Sequence, residues 1–97
     1  MRMCAKITID TERGSAAIKD GSMQQALQMV MDQMKPEASY FFPADGQRCA
    51  MLFFEMQDQS DMVPILEPFF MNLDAEVELF PVMNFQDLQS GLSKLQM

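Results

Sequence analysis

Ninety-seven residues with a hydrophobic fraction of 48% make one domain, 1–97, with too much apolar content for disorder and no room for a second core. The net charge is −7, and the seven basic residues, Arg2, Lys6, Arg13, Lys19, Lys35, Arg48 and Lys94, form no stripe. This argues against binding to nucleic acid or to an anionic membrane. Two cysteines and no histidine make zinc and haem sites improbable, so neither a metal nor a cofactor is expected.

The start, Met1 to Lys6, lacks the apolar core of a signal peptide, and no segment is long enough to span a bilayer, so the cytoplasm is the expected location. Met3, Ala5, Ile7 and Ile9 then alternate with Arg2, Cys4, Lys6, Thr8 and Asp10. That period of two predicts a strand with one apolar face and one mostly polar face. Thr11 to Gly14 ends it, and Ser15 to Asp20 reads as a short helical turn stopped by Gly21.

Ser22 and Gln25 have capping-box spacing, and Met23, Ala26, Leu27, Val30, Met31 and Met34 follow as one helical stripe that stops at Pro36. Of the twelve methionines, those on this stripe are read as gap-fillers rather than soft-metal ligands. Ala38 to Phe42 is a short strand. Pro43 to Gln47 is a turn around Asp45-Gly46, and Arg48 to Met56, the longest apolar run, is a strand apolar on both faces and hence central. Ser60 is placed to cap a second helix, which Pro68 should kink or restart. Ala75 to Val82 alternates again, and Asn84 opens a last helix with Phe85, Leu88, Leu92 and Leu95 on its stripe.

Strand, helix, strand, strand, helix, strand is the ferredoxin-like βαββαβ order, an α+β fold with an antiparallel four-stranded sheet ordered 4-1-3-2, here with an extra C-terminal helix. Both main helices cover one face. The other face is expected to carry Met51 and Phe53 beside Cys4, Lys6, Glu78 and Phe80. An apolar side chain of that size loses about 2–3 kcal/mol if left in water, and a second copy packed sheet to sheet would remove that cost.

The order of elements, the length and the two-sided central strand resemble the dimeric α/β barrel superfamily, which includes muconolactone isomerase-like and antibiotic-biosynthesis monooxygenase-like proteins. Ala17-Ile18-Lys19-Asp20-Gly21, Lys35-Pro36-Glu37-Ala38, Tyr40-Phe41, Glu67-Pro68 and Pro81-Val82-Met83 resemble, more closely, a set of short uncharacterised bacterial proteins of that superfamily. The resemblance implies a homodimer whose facing sheets enclose a cavity. It implies no reaction, because the superfamily's enzymes often rely on His, Asn, Trp or Tyr, and this chain has neither His nor Trp.

Lys6 and Glu78 fall near the middles of neighbouring strands on one face. They read either as a register-fixing ion pair, the commoner outcome, or as a cavity acid–base pair. Tyr40, the only tyrosine, reads as a core aromatic or as a proton donor. Arg48 at a strand start reads as solvated, or as a bidentate carboxylate clamp. Glu55 is expected to make a rim ion pair. Cys4 and Cys49 are expected roughly 20 Å apart, too far for a disulfide within one chain.

These residues point to a small homodimer. It would bind an apolar or aromatic metabolite in an inter-sheet cavity lined by Met51, Phe53 and Phe80, with Lys6, Glu78 and Arg48 as its polar groups. The competing expectations are a cofactor-independent isomerase or monooxygenase that uses Tyr40 or the Lys6–Glu78 pair, and a protein-interaction module.

Overall fold

A computed structural model describes residues 1–96 of the chain. Strand β1 spans Arg2–Ile9 and is followed by helices α1, Thr11–Asp20, and α2, Ser22–Met34. The hairpin β2, Ala38–Ala44, and β3, Gln47–Glu55, comes next. A 3-10 turn at Gln59–Asp61 leads into α3, Met62–Leu73, then β4, Glu76–Pro81, and α4, Phe85–Ser93. The sheet is antiparallel in the order β2-β3-β1-β4, which is the 4-1-3-2 order read from the other edge. Both apolar-rich strands are therefore central.

Alternation puts Met3, Ala5, Ile7 and Ile9 of β1 on one face with Ala50, Leu52 and Phe54 of β3. These pack under Met23, Ala26, Val30 and Met34 of α2 and Ile65, Leu66, Phe69 and Leu73 of α3. Leu52, Phe54, Val30 and Leu73 are fully buried. One continuous core thus sits between the sheet and two helices.

The first helical segment is longer than its sequence suggests. Asp10 caps it by accepting the Arg13 N–H at 3.0 Å, and Glu12 lies in its first turn, so the segment read as a strand end plus a turn is one ten-residue helix. Gly14, which lowers helix propensity, sits at a close approach to the sheet. A β-carbon on it would lie 3.0 Å from Arg48 Nη1 and 3.2 Å from Ile9. Gly21, at φ 84°, both ends α1 and begins α2. Ser22 is accordingly the first helical residue rather than the cap, and its N–H donates to the Asp20 carboxylate at 2.8 Å.

The Asp45-Gly46 turn has φ 52° and 75°, both positive as a two-residue type I′ hairpin demands. The 3-10 turn that leads into α3 is capped by Asp58, whose side chain accepts the Ser60 N–H while the Asp58 N–H donates to the Asp61 carboxylate. Ser60 itself is not the cap. Helix α3 also runs unbroken through Pro68. The missing N–H leaves only the carbonyl of Pro64 without a partner, and Pro64 is exposed, so water can satisfy it. Ile65, Leu66, Phe69 and Leu73 hold both halves on the sheet.

Helix α4 is well capped by Asn84 and Asp87 but buries none of its residues. Phe85, Leu88 and Leu92 are exposed, as is Leu95 just beyond it. The molecule is accordingly elongated, at 56 × 28 × 17 Å with a radius of gyration of 15.6 Å, against about 12.5 Å for a compact domain of this length.

Candidate functional site

Two surfaces of this fold could hold a ligand, and they lie on opposite sides of the sheet. The first is the face that no helix covers. Strand register arranges it in rows: Ala38, Phe53, Cys4 and Phe80; then Tyr40, Met51, Lys6 and Glu78; then Phe42, Cys49, Thr8 and Glu76. Met51, Phe53, Phe42 and Lys6 are half-buried, whereas Tyr40, Phe80 and Glu78 are exposed. Of the residues selected from the sequence, this face brings together Lys6, Tyr40, Met51, Phe53, Glu78 and Phe80.

Lys6 and Glu78 are directly opposed across β1 and β4, about 5 Å apart at the backbone. No ion pair joins them among the described residues. Tyr40 stands in the same row two strands away, with Met51 between. The middle row thus runs phenol, thioether, ammonium, carboxylate, a grouping visible only once the register is known.

Cys4 is on this face yet fully buried, because its row sets it between Phe53 and Phe80. Burial pushes its thiol up from the ordinary value of 9.0, the reverse of what a nucleophilic cysteine needs. Cys49 faces Thr8, four residues along β1 from Cys4, so about 13 Å separates the two thiols' strand positions. That is nearer than the sequence spacing suggested but still beyond disulfide reach, and both cysteines are free.

The upper end of the sheet is tied by charge. Arg2 Nε donates to Glu37 at 2.6 Å and Arg2 Nη1 lies 3.7 Å from Asp87. Glu37 and Asp87 both raise the Arg2 guanidinium, Glu37 by hydrogen bond foremost. Glu55 is opposite Arg2 in register but meets the Met1 amino group instead. All of these pairs are at the rim and largely solvated, so water screens each of them.

The second surface is a groove of about 690 Å³ on the helical side, within the size range of small-molecule sites. It exists because the packed helices cover the β1 side of the sheet more fully than its β2 edge. Ile18 of α1, Leu27 of α2, Phe41 of β2, Leu52 of β3 and Phe69 of α3 line it. The lining is apolar except near its end, where Thr11, Gln47 and Arg48 stand.

Arg48 is exposed, but it is not loose. Its Nη1 donates to the Thr11 carbonyl at 3.3 Å and its Nη2 to Ser15 Oγ at 3.2 Å. The structure therefore separates Arg48 from the other residues selected with it. The sequence contained one signal for this groove, the Phe41-Phe42 pair. Adjacent residues of a strand point to opposite faces, so one of those rings had to sit on the helical side.

Among the described residues, no group of acidic, histidine or cysteine side chains is arranged to hold a metal ion, and no helix is long and apolar enough to cross a membrane. No protein-family model and no curated protein matches the chain. Among solved structures, it is similar to the de novo designed protein Ferredog-Diesel, at 10% identity and a TM-score of 0.50, over 82% of this chain and 84% of that one. At that identity the likeness concerns the fold alone. The chain is thus a ferredoxin-like α+β protein with an added C-terminal helix.

Proposed function

We propose that this chain is a homodimer of the dimeric α/β barrel type, built by two copies packing open face to open face, and that it binds a small apolar or aromatic molecule between the sheets. The observation that carries this is the composition of the open face. Phe42, Met51, Phe53 and Phe80 form an apolar field around a few polar groups, and no helix covers it. Burying such a field against its own copy removes apolar surface from water at about 25 cal/mol per Å². Two curved, twisted sheets leave space between them, which Lys6, Glu78 and Tyr40 would rim.

Native mass spectrometry tests this directly. The expected result is a dimer for the natural chain, carrying a co-purified small molecule, and a monomer for Phe53→Glu, which sets a charge in the middle of the interface. A natural chain that stays monomeric at micromolar concentration would overturn the reading.

The row Tyr40, Met51, Lys6, Glu78 supports a second reading, a cofactor-independent isomerase that moves a proton within the same cavity. An unpaired lysine opposite a carboxylate offers an acid and a base within reach of one substrate. Deuterium uptake from D2O into an enol-forming lactone, followed by NMR, would report it. Loss of that uptake in Lys6→Met and Glu78→Gln is the expected result, and uptake unchanged in both variants would sink it.

A further inference from the structure

We infer that the groove on the helical side is a second, separate binding site, and that its ligand is an amphiphilic monocarboxylate, an apolar chain or ring ending in one carboxylate. This site lies on the face of the sheet opposite Lys6 and Glu78 and does not depend on dimerisation.

The apolar body follows from the lining. Ile18, Leu27, Phe41, Leu52 and Phe69 offer nothing for a polar group to bond. Ile18 and Phe41 are 52% and 55% exposed, so the groove is open to entry along its length. The anionic head follows from Arg48. In a chain of net charge −7, this guanidinium joins no carboxylate among the described residues.

Its two hydrogen bonds go to neutral oxygens, the Thr11 carbonyl and Ser15 Oγ. They orient the planar fork without neutralising it, and a guanidinium has five N–H donors, so donors remain for a ligand. Gly14 eases the arrangement, since a β-carbon there would crowd Arg48 Nη1 at 3.0 Å where the guanidinium lies across α1. An oriented cation at the end of an apolar groove matches a carboxylate on an apolar tail.

The test uses decanoate and decanol as paired probes, titrated into the full chain and followed by amide NMR shifts. Decanoate is expected to shift Leu27, Phe41 and Arg48 and to bind about tenfold more tightly than decanol, the difference a charge-assisted bond supplies. Arg48→Gln should erase that preference, with decanoate affinity falling far more than decanol affinity. Gly14→Ala, which displaces the guanidinium without removing its charge, should reduce the preference.

Phe41→Ala, at an exposed position, should weaken both probes alike and keep the preference. Equal affinity of decanoate and decanol in the natural chain would overturn the proposal. So would shifts confined to the open face, or shifts of the groove residues on dilution without decanoate, which would place a second copy there instead.

Discussion

Phe54 illustrates how much of this fold rests on single side chains. It is fully buried in the core, opposite Met3 in register, and Phe54→Ala should lower unfolding free energy by about 3–5 kcal/mol in urea titration. Cys4 shows burial acting on chemistry. Its raised thiol value means that the folded state resists forming the thiolate. Stability is therefore unaffected below the ordinary thiol value of 9.0 and declines as pH rises above it. Iodoacetamide should label Cys4 at neutral pH only at the rate of unfolding.

Asp58 acts in the opposite direction. Ser60, through its hydroxyl and then its N–H, holds the Asp58 carboxyl below the ordinary 3.8. A depressed carboxyl stabilises the fold above its unfolded value, and that contribution disappears as pH falls from 3.8 through the lower folded value. An NMR titration of the Asp58 side chain should show the low midpoint, and Ser60→Ala should move it upward.

At the scale of elements, the hairpin depends on its turn. Gly46 holds φ 75° with open space around it, so Gly46→Ala meets backbone strain and no clash. It should cost about 1 kcal/mol in thermal or urea unfolding. Helix α3 shows the reverse case, where packing overrides a local rule. Four buried apolar residues keep it continuous across Pro68, although propensity alone would break it. Helix α4 has nine residues, good caps and no buried face, and an isolated helix of that length is marginal in water.

For the whole molecule, the placement of apolar surface matters more than its amount. The core is satisfied by α2 and α3, while Phe85, Leu88 and Leu92 of α4, and Leu95 just beyond it, stay exposed. Truncating the chain after Val82 should leave the urea midpoint of the monomer nearly unchanged, because α4 contributes no core residue. If α4 rests on the second copy in the proposed dimer, the same truncation should raise the dimer dissociation constant, read by analytical ultracentrifugation.

The apolar alternation of β1, the two-sided run of β3 and the stripe of α2 were legible in the amino-acid sequence, because strand and helix periods are local and each residue's face follows from its neighbours. The order of those elements then restricts the topology to few choices, which is why the sheet order could be read before the structure. Tertiary structure alone decided what depends on contacts between distant segments. It aligned Tyr40 with Lys6 and Glu78 in one row, seated Cys4 between two rings, and kept α3 whole through Pro68. It also carried Arg48 across Gly14 to the end of an apolar groove. Register and close approach belong to pairs of segments, and no periodicity within either segment contains them.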